Sequence, residues 1–234
     1  MDEHRLQRLY QAVALRDGDP RPMGQMKAIC RACIDLLGVS GAGVMLMAER
    51  MHQGTAYATD DIIQRLEDLQ NNAAEGPCLD AYNLGRPVFE PDLADGGIRA
   101  WPLLAPTARK AGMAAVFAFP LQLDDTSVGA LDLYRDQPGP LTDVQIDDAR
   151  LLAAMATRAV LGMQADAAPG TLPAQIADLS GDRAAIEQAT GMVAAQLSIT
   201  VAAAAARLRT AAREADRALA VVAHDIVART LRLE

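Results

Sequence analysis

Proline and aromatic residues stop well before the end of this chain, and alanine takes their place. All twelve prolines lie before residue 174, and all eight aromatic residues lie before residue 135. From Gln175 onward the sequence contains 18 alanines and two glycines. Because proline breaks helices and alanine favours them, the chain divides into a turn-rich part and a helical part. We predict a first domain at 22–163, a linker at 164–174 around Pro169, Gly170 and Pro173, and a second domain at 175–234.

Charge and cysteine content exclude several classes of protein. The chain has 22 Lys+Arg against 30 Asp+Glu, a formal net charge of -8. This balance argues against a basic surface that binds nucleic acid regardless of sequence. No apolar run reaches the roughly 18 residues of a membrane span, and three scattered cysteines do not form a disulfide framework. We therefore expect a cytoplasmic protein that does not contact a membrane.

Hydrophobic spacing in the first part switches between the helical and the strand period. Apolar residues three or four apart predict helices at Met23–Leu37, Ile62–Asn72 (capped at Asp60–Asp61), Trp101–Ala111 and Leu141–Met163. Thr142 and Gln145 form the pattern of a capping box at the start of the last helix. Short apolar or alternating runs predict strands at 42–48, 53–59, 87–91, 114–123 and 128–135. This order predicts an α+β domain with an antiparallel sheet and flanking helices.

The second part carries only helical patterns. One helix is predicted at Ile176–Gln196, with Gly181–Asp182 as a break, and Gly191 is interpreted as a position where two helices pack closely. Thr200 is a predicted N-cap for a second helix, and Asp216 for a third. Together they predict an all-α bundle of three helices, since alanine-rich faces let helices approach one another.

Several motifs of the first part occur in a characteristic order. They are Leu-Gly-Val-Ser-Gly-Ala-Gly-Val, Glu-Gly-Pro-Cys-Leu-Asp-Ala-Tyr, Phe-Pro-Leu and Val-Gly-Ala-Leu-Asp-Leu-Tyr, followed by the helix that opens with Leu-Thr-Asp. In this order they resemble a GAF sensory domain over about residues 22–163. The resemblance implies a sheet-centred domain that holds a small ligand of unknown identity or docks against a twin. The candidate ligand-binding residues are Cys78, Asp80, Phe89, Trp101, Phe117 and Asp132.

The second part carries a more specific resemblance. The run Arg183-Ala-Ala-Ile-Glu-Gln-Ala-Thr-Gly191, then Ala204–Arg209, Ala212, Asp216, Leu219 and Val222–Ala223, resembles the ANTAR module of transcription antitermination. This implies binding to a transcript leader with two RNA hairpins. The chain departs from the family where Thr190 replaces a usual Lys and Ala205 a usual aromatic residue, which weakens phosphate attraction and base stacking. The candidate RNA-binding residues are Arg183, Thr190, Arg207, Arg209, Arg213 and Arg217.

The spacing of the arginines suggests a common face. Arg209, Arg213 and Arg217 are four residues apart, so they share one stripe if the helix extends that far. Such a stripe can meet phosphates or stack on bases, but it can equally be a solvated face balanced by neighbouring acids. A DNA-binding helix-turn-helix is disfavoured because the second helix starts with apolar residues at 201–206. A protein-interaction module without RNA binding stays open as the alternative.

Cysteine spacing and the remaining polar residues do not indicate an enzyme or a metal centre. Cys30 and Cys33 form a CxxC pattern on the apolar side of a predicted helix, which favours two small core residues. Cys78 is either a buried packing residue or an oxidant-sensing thiol. We find no arrangement of acid, base and nucleophile, and no phosphate-binding glycine loop.

The long helix Leu141–Met163 suggests how two copies of the chain could cooperate. Its apolar residues predict a stripe that runs between the subunits of a homodimer and aims the two tails. Two tails that hold two hairpins would gain affinity through a high effective concentration. The stripe consists of Leu152, Met155, Ala156, Ala159 and Met163.

Overall fold

A computed structural model describes residues 3–15, 22–48, 51–123, 126–165, 174–215 and 217–233. The first part contains α1 (Glu3–Ala14), α2 (Pro22–Leu37), β1 (Gly41–Ala48), β2 (Met51–Ala58), α3 (Asp61–Ala73), α4 (Pro77–Leu84), β3 (Val88–Glu90), a π-helical turn (Leu93–Gly97), α5 (Ile98–Ala100), α6 (Ala105–Lys110), β4 (Ala115–Leu123), β5 (Thr126–Arg135) and α7 (Asp143–Ala165). The second part contains α8 (Ala174–Leu197), α9 (Val201–Glu214) and α10 (Leu219–Val227).

The five strands form one antiparallel sheet in the order β2-β1-β5-β4-β3. Alternate residues of each strand point to opposite faces. Phe117, Phe119 and Leu131 belong to a large apolar cluster under α2 and α7, whereas Val116 and Tyr134 point to the opposite face. Helices α3, α4 and α6 cover that second face. The predicted α+β class is confirmed.

Helix α1 is an element that the sequence analysis did not predict. It packs on α2 and α7, and ion pairs hold it to the start of α7. Arg5 Nε lies 2.5 Å from Asp148 Oδ1, and Arg8 Nη2 lies 3.0 Å from Asp148 Oδ2. Because these partners are about 140 residues away in sequence, no local pattern indicates the contact.

The predicted helix caps form where the structure describes them. The Thr142 N–H donates to Gln145 Oε1 at 2.8 Å, and the Gln145 N–H donates back to Thr142 Oγ1 at 3.3 Å, which completes the capping box. Asp60 accepts from the N–H of Ile63 at 2.8 Å, and Thr200 caps α9. Asp216 lies outside the described residues, and Ala218 occupies the N-cap position of α10.

Two helix boundaries differ from the prediction. Helix α6 begins at Ala105 rather than at Trp101, because the indole of Trp101 is held elsewhere, as described below. Helix α8 continues through Gly181–Asp182 without the predicted break. A single glycine costs only about 1 kcal/mol in a helix interior, so the surrounding helical residues prevail.

The apolar stripe of α7 is used within a single chain. Leu152, Ala156, Ala159 and Met163 are at most 4 % exposed and pack in the same cluster as α2 and the sheet. The stripe is therefore not available to run between two subunits, and that part of the prediction is wrong. The helical period identified the buried face correctly, but the period alone cannot say which partner covers it.

Helices α8, α9 and α10 form the predicted bundle around a small core. Of the ten buried apolar residues that the structure describes there, half are alanines, and the largest are Leu208, Leu219 and Ile226. The prediction that Gly191 lies in a helix–helix contact is wrong. The residue is exposed, and a Cβ built there meets nothing within 4 Å. The bundle lies beside α3 and the edge strand β2.

No single helix among the described residues is long and apolar enough to cross a membrane. The stretches Ala184–Leu197 and Val201–Glu214 pass the test of length and composition only as a pair, with a bend of 108° between them.

Candidate functional sites

A cluster of buried polar side chains lies between α3 and the sheet. Glu67 and Gln70 are fully buried, and Asp132 of β5 is 1 % exposed. The Glu67 carboxyl lies over Gly43, where an added Cβ would be only 2.5 Å from Oε1. Because Gly43 is the register partner of Asp132, the two carboxyl groups lie above neighbouring points of the sheet. Glycine at position 43 makes room for this close approach.

Hydrogen bonds satisfy only part of this cluster. Gln70 Nε2 donates to Asp132 Oδ2 at 2.9 Å, and Gln70 Oε1 accepts from the N–H of Cys78 at 2.8 Å. The Thr55 hydroxyl donates to Glu67 Oε2. Among the described residues, Glu67 Oε1 and Asp132 Oδ1 are buried without a hydrogen-bond partner. Unpaired buried acceptors are costly, so each of these oxygens favours a donor, either a carboxyl proton or a neighbouring group such as the Cys78 thiol beside Asp132.

Burial changes the acidity of both carboxyl groups. It raises the pKa of Asp132 to about 7, despite the opposing hydrogen bond from Gln70. It raises the pKa of Glu67 well above its ordinary value, and the negative charge of Asp132 acts in the same direction. Asp132 can therefore hold a proton near neutral pH, and burial favours the protonated form of Glu67 as well.

Cys78 belongs to the same face of the sheet but is not arranged as a reactive thiol. Its side chain is fully buried, with Sγ 3.0 Å from Met45 Sδ and 3.9 Å from Met47 Sδ. Burial and the nearby charge of Asp132 raise the pKa of the thiol well above its ordinary value. Because oxidants react with the thiolate form, this environment favours the packing interpretation over the oxidant sensor.

Asp80 and Trp101 fix the loop that borders this cluster. The Trp101 indole Nε1 donates to Asp80 Oδ2 at 2.9 Å, and the indole is 3 % exposed. The Glu75 carboxylate accepts from the N–H groups of Leu103 and Leu104 at 2.5 and 2.8 Å. These contacts hold residues 101–104 in a turn, which is why the next helix starts later than predicted.

The six predicted ligand-binding residues do not share one pocket. Cys78, Asp80, Trp101 and Asp132 lie on the α3–α4 side of the sheet. Phe89 and Phe117 pack on the opposite side, with ring centroids 6.1 Å apart in an edge arrangement. Glu67 and Gln70 were missed, although Glu67 stands four residues after the inward-facing Ile63 and thus on the apolar stripe of α3.

The candidate RNA-binding arginines of α9 occupy different environments. Arg207 is exposed, whereas Arg209 is half-buried, and its Nε is buried without a partner among the described residues. Two residues apart on a helix correspond to about 200°, so these two side chains lie on opposite flanks of α9. Burial lowers the pKa of Arg209, but a guanidinium stays charged at neutral pH.

Arg213 and Arg217 lie where α9 ends. The helix stops at Glu214, so Arg217 stands in the turn before α10 and does not continue the stripe. Arg213 Nη2 donates to Thr210 Oγ1 at 3.0 Å, and Arg217 Nη2 pairs with Asp225 Oδ2 at 2.5 Å. Of the predicted common face, α9 therefore carries Arg209 and Arg213, and Arg217 is not part of it.

Of the two candidates on α8, the structure describes the side chain of Thr190, which is placed less favourably for contact with RNA. Thr190 is 7 % exposed, and its hydroxyl donates to the carbonyl of Ile186 at 2.7 Å. The backbone of Arg183 lies in α8, and its side chain lies outside the described residues. The exposed Gly191 next to Thr190 leaves an open patch on this helix.

Metal-ligating residues are not grouped in the part of the chain that the structure describes. No cluster of three or more His, Cys, Asp or Glu suited to a metal ion occurs there. Cys30 and Cys33 are fully buried on α2 as free cysteines, the packing role that was predicted. Burial raises the pKa of both thiols, so they remain protonated.

Comparison with family models assigns both parts of the chain. A GAF domain model matches residues 26–161, and an ANTAR domain model matches residues 177–227. The two matches follow each other in the predicted order. A search of curated proteins finds no match.

Solved structures resemble the sheet-centred part. The GAF domain of an Acinetobacter phosphoenolpyruvate-protein phosphotransferase has 13 % identity and a TM-score of 0.52, and the match covers 72 % of this chain and 99 % of that one. A domain of a Sinorhizobium meliloti 1021 protein described as a two-component sensor histidine kinase has 19 % identity and a TM-score of 0.50, and the match covers 60 % and 91 %. At these identities the likeness concerns the fold alone.

Proposed function

Since the chain belongs to the GAF domain family and carries an ANTAR domain behind it, we propose that it controls transcription by binding RNA. The two domains together make it a regulator with a sensor part. In the proposed activity, the C-terminal bundle binds hairpins in a nascent transcript leader. Binding holds the RNA in its antiterminated fold at the expense of the terminator.

The arginines of α9 in the domain matched by the ANTAR model are the observation that carries this proposal. Arg207 is exposed, and Arg209 and Arg213 are partly exposed on the other flank. Guanidinium groups pair with phosphates and stack on unpaired bases, which suits a hairpin loop. Residues 175–234 hold seven arginines and seven acids, so affinity has to come from these placed side chains rather than from overall charge.

A titration with a labelled two-hairpin RNA at several salt concentrations tests the proposal. We expect Arg209→Ala/Arg213→Ala to weaken binding and to reduce the salt slope by about 0.7 to 0.9 for each lost phosphate contact. The matched control is Arg99→Ala/Arg150→Ala, which removes two exposed arginines of the sensor domain. Equal binding by both double variants would contradict the proposed face, and no binding by any form would favour the protein-interaction alternative.

The buried carboxyl cluster is our proposed place for a small-molecule signal. Two unpartnered carboxyl oxygens fit a ligand with hydrogen-bond donors, such as a small amine, and Cys78, Asp80 and Trp101 border the same face. Thermal unfolding with a panel of small amines tests this. A rise in Tm for the wild type that Asp132→Asn abolishes supports the site, and an equal rise in both contradicts it.

The assembly and location that we propose follow from the same function. Two linked copies would hold two hairpins with higher affinity than one copy, through surfaces other than the buried stripe of α7. Light scattering of the purified protein tests this, and a monomer at all working concentrations would contradict it. The proposed location is the cytoplasm, where transcripts are made and where free cysteines persist. We propose no catalytic activity for either domain.

A further inference from the structure

The C-terminal bundle is docked on the sensor domain along the edge strand β2 and along the outer face of α3. We define this outer face by Arg65, Asp68 and Asn72, which lie on the side of the helix away from Glu67 and Gln70. The side chain of Asn72 is nearly buried, and its Nδ2 donates to the backbone carbonyl of Arg217 at 3.0 Å. The bond joins α3 directly to the turn between α9 and α10.

A cleft of about 120 Å³ runs along this contact. The sensor domain contributes the outer face of α3 together with Leu103 and Thr107, and the bundle contributes Ala212, Arg213, Arg217 and Ala218. Two of the proposed RNA-binding arginines therefore line a cleft against the sensor domain. In this arrangement both arginines are half-buried. Arg213 donates a hydrogen bond to Thr210, and Arg217 pairs with Asp225.

The contact mixes polar and apolar side chains and includes like charges. Arg65, Arg213 and Arg217 line the same small cleft, where Asp68 is the acid that faces them. Among the described residues, the buried apolar cluster of the bundle does not merge with those of the sensor domain. Partly polar interfaces of this kind between domains of one chain separate more readily than a shared core would.

We propose that this docking is an inhibitory contact, in which the outer face of α3 covers Arg213 and Arg217 until the bundle is released to bind RNA. The inference rests on the proposed function, because RNA is the competitor for the same side chains. Helix α3 also carries the buried carboxyl cluster on its inner face. A change at that cluster can therefore reach the docked bundle through a single helix.

Substitutions in the cleft that spare the arginines test the inference. Asn72→Arg removes the bond to the carbonyl of Arg217 and adds a fourth arginine to a cleft that already holds Arg65, Arg213 and Arg217. Leu103→Arg, at a position 48 % exposed, crowds the same cleft without touching the core. Asn71→Arg is the matched control, because it makes the same change one residue away, outside the residues that line the cleft.

Two readouts separate docking from RNA binding. Without RNA, we expect faster hydrogen exchange in residues 201–227 for Asn72→Arg and Leu103→Arg than for Asn71→Arg. With a labelled two-hairpin RNA, we expect both cleft variants to bind about tenfold more tightly than the control. Faster exchange with no gain in affinity would overturn the inhibitory role. Unchanged exchange in both cleft variants would overturn the docking, and no RNA binding by any form would overturn the proposed function.

Discussion

The sensor domain and the C-terminal bundle differ in the size of the apolar side chains that form their cores. The sensor domain packs aromatic and large aliphatic residues on both faces of a five-stranded sheet. Among its described residues, the bundle has ten buried apolar residues, and half of them are alanines. Because buried apolar area is the main stabilising term, the bundle holds less stabilisation per residue. The difference suggests that the sensor domain is the fixed frame and that the bundle is the part that moves.

The largest effect is expected from removing a core side chain of the bundle. Leu208 is 1 % exposed in a core with few large residues, so Leu208→Ala should cost about 2 to 5 kcal/mol. We expect hydrogen exchange to show loss of protection in α8–α10 while β4 and β5 stay protected. Leu131→Ala in the sensor core is the matched variant. Loss of protection in both domains with Leu208→Ala would show that they unfold as one unit and would contradict the comparison.

A smaller effect is expected from the buried carboxyl pair of the sensor domain. The folded chain holds the Asp132 proton up to a pKa of about 7, whereas an unfolded Asp loses it near pH 4. The free energy of unfolding should therefore fall as the pH rises from about 4 to 7 and then stay low. Asp132→Asn should reduce this slope and be more stable than the wild type at pH 8, by a few kcal/mol.

Urea unfolding at pH 5 and pH 8 measures this difference. Asp136→Asn, at an exposed position just after the end of the same strand, is the control and should follow the wild type. Part of the slope should persist in Asp132→Asn, because burial also raises the pKa of Glu67. A variant less stable than the wild type at pH 8 would contradict the account of the pair.

The smallest effect is expected on the surface of the bundle. Gly191 lies inside α8 with open space around it, so Gly191→Ala should stabilise the bundle by about 0.5 to 1 kcal/mol. Thermal unfolding and, separately, hydrogen exchange in α8 measure this gain in stability. If RNA approaches the backbone at this glycine, the same variant should bind RNA less tightly. A destabilised variant would show that the glycine packs closely after all.

The helices and strands of both domains could be predicted because the spacing of apolar residues that indicates them depends only on residues close in sequence. The strands, the capping box at Thr142 and the cap at Thr200 depend on neighbours in sequence. Glu67 could not be assigned in the same way, because a carboxylate on an apolar helix face is indistinguishable from a solvated one until Gly43 is seen beneath it. The ligand-binding prediction failed as a single set since strand alternation sends Phe117 and Asp132 to opposite faces.

The placement of the arginines could be predicted only in part. Spacing identified Arg209 and Arg213 as neighbours on one helix, but it could not show that the helix ends before Arg217. The bond from Asn72 to Arg217 joins residues 145 positions apart, so sequence periodicity carries no sign of it. The sequence alone therefore predicts that Arg213 and Arg217 lie on a free surface, whereas in the structure both are half-buried beside α3.

Hydrogen exchange of the full chain with and without a two-hairpin RNA tests the central claim most directly, because it follows both domains at once. If RNA takes the bundle away from the sensor domain, α9 should gain protection on binding while residues 61–73 of α3 lose it. Protection of α9 with no change in α3 would mean that RNA binds the docked bundle, and the inhibitory contact would be wrong.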